Sequence, residues 1–460
     1  MRVLAILLLN LVIVSLPALS QEKGGRYNAI TSGVAWFDQN NKEINAHGAC
    51  IVKEGDRYYL FGEYKSDTSN AFTGFSCYSS TDLVNWTFEN VVLPQQKAGL
   101  LGPDRVGERV KVMKCPSTGE FVMYMHCDDM GYKDPHVGYA TCKTISGDYQ
   151  FHGDLLLDGK YLKRWDLGTF QDSDGKGYVL THEGFIYELA DDYKSVNRIV
   201  VSDMAHGGES PAMFRANGYY FWLFSNKTSW ERNDNYYLVS KSLEGSWINK
   251  GNFAPIGSLT WNSQSSFVLP VVGKGDTLNM YMGDRWSYPK QGSAGTYVWQ
   301  PITVTGDEMS IPVFQGSWSF DRHSQWLPIK TDMKSVKKDA RCIGNWSMGG
   351  NVFKSNEKGA QISVPFKGSR ISVKGLSNNT SGYASVVLKN GQNEEVLNTI
   401  VDFYSLYENS SLKFNSPVLA QDNYTLTIEV LGEHPAWSDK RKSDYGSTDN
   451  YIIIEDIYIK

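Results

Sequence analysis

The chain has little excess charge of either sign. Its 460 residues include 45 Lys and Arg against 50 Asp and Glu, which gives a net charge of −5 at pH 7. No segment gathers basic residues into a stripe or patch. Nucleic acid and anionic membrane surfaces are therefore not expected partners.

Long hydrophobic runs are also scarce, apart from the first 20 residues. Residues 1–20 contain Arg2, an apolar run, and the small residues Ala18 and Ser20 at its end. This pattern predicts a secretory signal peptide that is cut before Gln21, and so a periplasmic or extracellular protein. A membrane anchor is the alternative, but the run is short for a span and no second one follows.

Cysteines are few and do not have the spacing of a metal site. None of the six forms a CxxC pair, and their intervals do not match those of zinc ligands. In an exported protein one disulfide is possible, for example between Cys115 and Cys127. Buried free thiols on strands are an equal alternative.

Helical periodicity is nearly missing, whereas the features of β-structure are abundant. Aromatic residues make up 13% of the chain and there are 43 glycines, which suits pleated faces and tight turns. Five apolar segments each follow a Gly-rich or polar turn and precede a second strand-like segment: 57–64, 120–129, 176–184, 218–226 and 276–286. We predict that they are the first strands of five repeated units, with 57–64 as the inner strand of the first. The recurrence predicts a five-bladed β-propeller over about residues 28–315. A β-sandwich or an irregular all-β domain is the alternative.

The remainder of the chain predicts a second β domain. Residues 315–342 are polar and less strand-like, and alternating strands return over residues 340–460. We therefore predict a propeller domain at 21–322 and a jelly-roll-like β-sandwich at 323–460. Such a module could bind carbohydrate or serve only as a structural partner of the propeller.

Acidic residues recur near the strands that would converge on the propeller axis. Crowded carboxylates raise one another's pKa, so their recurrence suggests a function. Four carboxylates and one amide have comparable positions in the five units: Glu63, Glu108, Asp166, Glu209 and Gln264. Any one of them, taken alone, could be a surface carboxylate or a turn cap.

Paired carboxylates are typical of glycoside hydrolysis, in which a general acid protonates the leaving oxygen. Glu209 is the best candidate for this acid, because it follows two glycines and precedes Ser-Pro-Ala-Met, a context that fixes the backbone and permits close approach. A neighbouring carboxylate such as Asp166 could keep the pKa of Glu209 high until the proton is donated.

The propeller region resembles glycoside hydrolase family 43, and within it the exo-β-1,3-galactanases. The resemblance covers most of residues 28–315, and its most specific segments are INAHGA and NSQSSF, beside GERVKVM, WDLGTF and GESPAMF. It implies that Glu209 is the general acid and that Asp166 tunes and orients it. It also implies that Glu108 holds the sugar, that Glu63 contacts the −1 sugar, and that Gln264 stands in for the base.

Two departures from the usual family pattern stand out. Most members have an Asp-Pro pair before the first strand, whereas Gly48 and Ala49 occupy these positions here. The galactanase branch lacks the Asp too. Gln264 would then either position a water or act through its imidic acid tautomer. The Ser-Arg pair that is usual before the Asp166 position reads Arg164-Trp165.

Further residues are candidates for contact with the sugar. His47 could line the sugar site or a water shell around a central ion, or could be a buried histidine bonded to backbone. Tyr132 and Trp230 could stack on a sugar face or pack within loops. Thr228 and Asn262 are candidate hydroxyl contacts. The sequence predicts neither a required cofactor nor a metal ligand set, and no motif supports a structural calcium ion.

Three functions are compatible with these residues. The first is an exported, inverting hydrolase that releases galactose from the non-reducing end of β-1,3-galactan, the backbone of arabinogalactan. The second is an α-L-arabinofuranosidase or β-xylosidase of the same family, which the missing Asp at position 48 disfavours. The third is a non-catalytic galactan-binding protein, which the retained Glu108, Asp166 and Glu209 disfavour.

Overall fold

The computed structural model describes residues 26–330, 333–439 and 441–460. Over these ranges the protein is all-β, with only two four-residue helices and two 3-10 turns. The predicted signal peptide lies outside the described residues. Among the helices in these ranges, none has the length and apolar character needed to cross a membrane.

Five mostly antiparallel sheets follow the first described strand, β1 (Ile30–Thr31). Sheet one contains β2 (His47–Glu54), β3 (Arg57–Glu63), β4 (Gly74–Ser80) and β5 (Thr87–Pro94). Sheet two contains β6 (Arg105–Lys114), β7 (Phe121–Asp129), β8 (His136–Cys142) and β9 (Gln150–Asp154). Sheet three contains β10 (Leu156–Leu157), β11 (Lys160–Tyr161), β12 (Leu167–Gln171), β13 (Gly177–Thr181), β14 (Phe185–Leu189) and β15 (Val196–Val201).

The last two of these sheets complete the set. Sheet four contains β16 (Gly208–Ala216), β17 (Tyr219–Asn226), β18 (Tyr236–Ser240) and β19 (Ile248–Asn252). Sheet five contains β20 (Gln264–Val272), β21 (Thr277–Arg285) and β22 (Thr296–Pro301), with the helices α1 (Leu259–Asn262) and α2 (Gln291–Ala294) before β20 and before β22.

One edge strand of each sheet, which we call its inner strand, contacts the inner strands of two other sheets. The inner strands are β2, β6, β12, β16 and β20, and each contacts the next, with β20 returning to β2. Because the strands run antiparallel, every inner strand starts where the second strand of its sheet ends. The starts of the inner strands therefore meet around one axis.

The five apolar segments that the sequence presented as first strands are the second strands of their sheets. Residues 57–63, for example, form β3, and β2 precedes it as the inner strand. The prediction of strand order was therefore wrong. The reason is that inner strands include charged residues and irregular backbone at the axis, such as Glu108 and Lys111 on β6, which interrupt the apolar alternation.

The space between neighbouring sheets is filled by aromatic and aliphatic side chains. The largest fully buried ones include Trp222, Trp299 and Trp318, and each sheet shares a cluster of such residues with its neighbour. All six cysteines are free thiols, and Cys115 and Cys127 are both buried. The structure therefore has free thiols and no disulfide between Cys115 and Cys127.

The C-terminal part contains two facing five-stranded sheets. Four short strands come between sheet five and these two sheets: β23 (Thr303–Thr305), β24 (Glu308–Ser310), β25 (Ser317–Phe320) and β26 (Trp326–Pro328). One sheet has β27 (Lys334–Ser335), β29 (Phe353–Ser355), β31 (Ile371–Ser377), β34 (Asn409–Asn415) and β38 (Ile452–Ile459). The other has β28 (Arg341–Ile343), β30 (Gln361–Gly368), β32 (Tyr383–Asn390), β33 (Glu395–Asp402) and β35 (Asp422–Val430). A small hairpin joins β36 (Ala436–Ser438) to β37 (Asp444–Gly446).

The two parts of the chain are packed against each other. Strand β25 pairs with β1 and with β26, so the predicted boundary after residue 322 falls in the turn of this hairpin. Ser287, which follows β21, donates a hydrogen bond to Asp402 of the C-terminal part at 2.9 Å. Lys290 forms an ion pair with Glu433 at 2.9 Å. The C-terminal part thus contacts the segment that follows the second strand of sheet five.

Candidate active site

Polar residues that are far apart in sequence meet where the inner strands start. The cross-strand register places four pairs at this edge: His47–Glu63, Glu108–His126, Glu209–Ser225 and Gln264–Asp284. Asp166 lies just before the inner strand of sheet three. The structure therefore brings together the four predicted carboxylates and the predicted glutamine, and contacts between their side chains define the candidate site.

Arg109 links three of these residues, and sequence reasoning did not identify it. Its backbone N–H donates to Glu63 Oε1 at 2.7 Å. Its guanidinium donates to Asp166 Oδ1 at 2.9 Å and to Gln264 Oε1 at 2.6 Å. The surrounding carboxylates outweigh burial and raise the pKa of Arg109. Arg109 is therefore a fixed cation at the centre of the site.

Lys65 is a second buried cation that sequence reasoning missed. Its ammonium lies 2.7 Å from Glu63 Oε2 and 3.3 Å from Glu108 Oε1. It also donates to Asn70 Oδ1 at 2.7 Å. Burial raises the pKa of Glu63, and the Lys65 charge opposes that rise. Lys65 thus holds two carboxylates side by side that would otherwise repel each other.

Glu108 is surrounded by hydrogen-bond donors. Tyr132 donates to Oε1 at 2.9 Å and Asn70 donates to the same oxygen at 2.8 Å. Burial opposes ionisation of Glu108, but Lys65 and His126 outweigh it and lower its pKa. The carboxylate is therefore ionised at neutral pH and oriented from several sides. Tyr132, for which the sequence suggested stacking on a sugar face or packing within a loop, contacts Glu108 through its hydroxyl group.

Glu209 differs from the other carboxylates because it is half-buried and has little positive charge in contact with it. Burial, followed by the charge of Asp166, raises the pKa of Glu209 to about 8. Asp166 itself accepts hydrogen bonds from the Ser210 N–H and hydroxyl, both at 3.0 Å. Arg109 and Ser210 thus keep Asp166 next to Glu209. The result is a carboxyl group that is protonated at neutral pH.

Gln264 uses all of its hydrogen-bonding capacity inside the site. Its Oε1 accepts from Arg109 Nη2 and from Trp286 Nε1, at 2.6 and 2.8 Å. Its Nε2 donates to Glu209 Oε1 at 3.2 Å and to Ser225 Oγ at 2.9 Å. Two donors facing one end of the amide and two acceptors facing the other fix its orientation.

Gly48 has no room for a side chain. Its φ is +59°, and a Cβ atom built on it would lie 2.1 Å from Glu63 Oε1. The carboxylate of Glu63 therefore occupies the space that an aspartate at this position would need. Lys111, which is fully buried, donates to the Gly48 carbonyl at 2.7 Å and holds the backbone in place.

Trp230 and His47 lie near this network without hydrogen-bonding to it. The Trp230 ring stacks on Tyr288 with centroids 6.0 Å apart, and Lys65 Nζ lies 5.6 Å from its centroid. His47 is fully buried and stacks on Tyr297 at 5.2 Å, with Nδ1 3.8 Å from Asp284 Oδ1. Neither His47 nitrogen has a hydrogen-bond partner among the described residues, so the expected bond to backbone is not formed.

Thr228 and Asn262 are engaged elsewhere. The Thr228 hydroxyl donates to the Glu231 carbonyl at 2.6 Å, which braces the loop after β17. Asn262 Oδ1 accepts from the buried Arg232 at 2.9 Å. The structure thus assigns these two polar groups to loop and core contacts and does not bring them to the carboxylate network.

Potential metal ligands cluster in one place within the described ranges. Glu183, Asp203 and His206 have ligand atoms within 4.8 Å of one another, and two of the three are exposed. The Glu183 carboxylate already forms an ion pair with Lys227 and accepts from the Gly207 N–H at 3.0 Å. These contacts are typical of a surface ion-pair cluster.

The chain is similar to carbohydrate-cleaving proteins in sequence. The family model of glycosyl hydrolases family 43 matches residues 43–258. A Bacillus subtilis (strain 168) beta-xylosidase is 28% identical over 159 residues, which are 33% of this chain and only 27% of that protein. An extracellular exo-alpha-(1→5)-L-arabinofuranosidase of Cellvibrio japonicus (strain Ueda107) is 22% identical over 333 residues, covering 57% of this chain and 91% of that protein.

Solved structures show the same relationship at greater length. The chain is 34% identical to a candidate exo-beta-1,3-galactanase from Bifidobacterium bifidum s17, with a TM-score of 0.57 and coverage of 61% of this chain and 95% of that one. It is 27% identical to the Phanerochaete chrysosporium exo-beta-1,3-galactanase solved with beta-1,3-galactotriose, with a TM-score of 0.70 and coverage of 94% and 100%. From these matches we conclude that the chain belongs to glycoside hydrolase family 43.

Proposed function

We propose that this glycosidase is an exported, inverting exo-β-1,3-galactosidase that releases galactose from the non-reducing end of β-1,3-galactan. Glu209 is the general acid in this proposal. The ring of contacting inner strands is a five-bladed β-propeller, and the C-terminal part, residues 323–460, is a jelly-roll-like β-sandwich. Both structural relatives described above carry the name exo-beta-1,3-galactanase, which supports β-1,3-galactan as the substrate.

The single observation behind the assignment is the pair formed by Glu209 and Asp166. A general acid works best when its pKa lies near the operating pH. Burial and the neighbouring Asp166 charge give Glu209 a pKa of about 8. It therefore has a proton to donate to the glycosidic oxygen as the C1–O bond breaks. A lectin has no need of such a group.

The other carboxylates suit a sugar that develops positive charge. The transition state of glycoside cleavage resembles an oxocarbenium ion. Glu63 and Glu108 are buried and ion-paired with Lys65, and Asp166 is bonded to Arg109. Negative groups that are already fixed in place stabilise such a charge without having to reorganise.

The hydrogen bonds of Gln264 favour one of its two possible roles. An imidic acid tautomer would place a proton on Oε1, which already faces N–H donors from Arg109 and Trp286. Those donors stabilise the ordinary amide. When Glu209 turns toward the glycosidic oxygen, the Nε2–H now shared with it becomes available to hold the attacking water. We propose that Gln264 positions the water and does not accept its proton, which passes to bulk solvent as the new C1–O bond forms.

A panel of substrates tests the assignment. The purified protein should release galactose from β-1,3-galactobiose, and should show little turnover of 4-nitrophenyl α-L-arabinofuranoside or β-D-xyloside. Turnover of either aryl glycoside without cleavage of galactobiose would assign the second function. Tight binding of galactan in calorimetry without release of sugar would assign the third.

The pH dependence gives an independent test of the acid. Because Glu209 must be protonated, kcat/KM should fall as pH rises through about 8. Burial and Asp166 raise the pKa of Glu209, and Lys227 opposes them. Replacing Lys227 with Ala should therefore move the alkaline limb of the kcat/KM–pH profile to higher pH. The control is Lys250→Ala. Lys250 is on β19, the outer strand of sheet four, and forms an ion pair with Asp307 away from the site, so this change should leave the alkaline limb in place. A limb that does not move with Lys227→Ala would contradict the assignment of Glu209.

A further inference from the structure

The segment that follows β21 is held by the active site on one side and by the C-terminal part on the other. Trp286 is buried, and its Nε1–H donates to Gln264 Oε1 at 2.8 Å. The next residue, Ser287, donates to Oδ2 of Asp402, the last residue of β33, at 2.9 Å. The C-terminal part therefore fixes the backbone that carries one of the hydrogen-bond donors of Gln264.

Arg232 lies buried between the two segments that flank Gln264 in space, and it is only 2% exposed. Its Nε–H donates to Asn262 Oδ1 at 2.9 Å, and its Nη1–H donates to the Trp286 carbonyl at 3.0 Å. Asn262 is two residues before Gln264, and the Trp286 indole donates to the Gln264 amide. A planar guanidinium has fixed N–H directions, so Arg232 sets the separation of these two segments.

The turn before Gln264 depends on such contacts, because its backbone conformation is unfavourable. All four residues of α1, Leu259–Asn262, have φ between +52° and +58°. This left-handed conformation brings Cβ close to the following carbonyl oxygen, so residues other than glycine adopt it only where surrounding contacts hold them. Besides Arg232, Arg285 holds the turn by donating to two of its carbonyl groups, at 3.0 and 3.1 Å. The two arginines therefore fix the direction in which Gln264 leaves the turn.

Tyr404, in the C-terminal part, holds Arg232 in turn. Its ring lies against the guanidinium, with Arg232 Cζ 5.2 Å from the ring centroid. Its hydroxyl donates to Glu231 Oε2 at 2.5 Å, and Glu231 Oε1 accepts from the Arg232 N–H at 3.1 Å. The Tyr404 N–H donates to Asp402 Oδ1 at 2.7 Å. One short stretch of the C-terminal part, residues 402–404, thus supports both of the segments that flank the glutamine.

We propose that Asp402 and Tyr404 are positioning residues for Gln264, so that the C-terminal part completes the arrangement that holds the attacking water. This inference rests on the proposed function. Asp402 acts through the segment that follows β21, and Tyr404 acts through Arg232. Displacing a group that orients a reactant by about 1 Å can lower a rate by about 100-fold. The contribution of the C-terminal part should appear in kcat, because the water attacks only after the sugar is bound.

A double-mutant cycle tests whether these residues act through Gln264. Tyr404→Leu removes the ring and the hydroxyl, and should lower kcat for β-1,3-galactobiose by about 10-fold while KM stays within about 2-fold. In a Gln264→Ala background, Tyr404→Leu should lower kcat by less than about 2-fold more, because residues that act through one group do not have additive effects. The rates are measured at a temperature at which circular dichroism shows every variant to be folded.

β-Galactosyl fluoride separates this effect from an effect on the general acid. Water adds to C1, the C1–F bond breaks with its electron pair on fluoride, and a water proton goes to solvent. The reaction thus needs the positioned water but no protonation of the leaving group. Tyr404→Leu should therefore lower kcat for the fluoride by about the same factor as for galactobiose.

Asp402 offers a second position for the same test. Asp402→Ala removes both acceptor oxygens and should also lower kcat by about 10-fold, whereas Asp402→Asn keeps one acceptor and should restore most of the rate. Glu433→Gln is the matched control, because it removes the ion pair with Lys290 across the same interface and should leave kcat unchanged.

Two results would overturn the positioning role while the proposed function stands. One is a kcat that does not change in Tyr404→Leu and Asp402→Ala. The other is a loss that multiplies in full with that of Gln264→Ala, since independent sites have additive free energies. A wild-type protein that cleaves neither galactobiose nor the fluoride would overturn the proposed function itself.

Discussion

Replacing Glu209 with Gln should lower kcat for β-1,3-galactobiose by about 1,000-fold, because general acid catalysis contributes roughly 10²–10⁴. The change is isosteric and removes only the proton that a sugar leaving group needs. The amide at 209 can still accept the hydrogen bond that Gln264 Nε2 donates at 3.2 Å. The site should therefore keep its structure while it loses its acid.

Two controls distinguish loss of the acid from general damage. With β-galactosyl fluoride the same variant should lose far less activity, because fluoride leaves without protonation. Glu244→Gln should behave as wild type, because Glu244 lies in the turn between β18 and β19, is 61% exposed and pairs with Arg198 at 2.6 Å. Full activity of Glu209→Gln on galactobiose would contradict the assignment of the acid.

Introducing an aspartate at Gly48 should disable the enzyme and should not supply the missing base. A side chain at φ +59° costs about 1–2 kcal/mol. Its Cβ would lie 2.1 Å from Glu63 Oε1, so Glu63 must leave Lys65 and the Arg109 N–H. Breaking such a buried pair costs about 3–5 kcal/mol. We expect a fall in melting temperature of roughly 10 °C together with loss of activity.

Gly55→Ala is the matched control for Gly48→Asp. Gly55 is in the turn between β2 and β3, its φ is +62°, and no atom lies within 4 Å of a Cβ built on it. It should therefore show only the backbone cost of about 1–2 kcal/mol. Thermal unfolding and kcat on galactobiose measure both effects. A stable Gly48→Asp enzyme with raised kcat would show that the position can hold a base after all.

The sequence predicted the type of fold because its local signals were consistent. Turns containing glycine and alternating apolar segments indicated the strands in both parts of the chain. The order of strands within the sheets could not be predicted in the same way. Inner strands such as β6 bury Glu108, Arg109 and Lys111 at the axis, so their pattern does not resemble that of an ordinary buried strand.

The site was predictable where residues of suitable type recur at comparable positions in the five units. Glu209, Asp166 and Gln264 were identified as candidates in this way, and the role of Gln264 was implied only by the family resemblance. Arg109 was not identified, because its role depends on contacts with Asp166 and Gln264, which lie 57 and 155 residues away. Lys65 was overlooked for the same reason. Thr228 shows the opposite error, since a hydroxyl near the site in sequence turned out to brace its own loop.

The anomeric form of the first product tests the mechanism most directly. Proton NMR of the reaction with β-1,3-galactotriose should show α-galactose and galactobiose appearing together, before mutarotation produces β-galactose. This result would establish release from one end with inversion, as expected for an acid paired with a positioned water. Initial formation of β-galactose, or of no free galactose at all, would contradict the account.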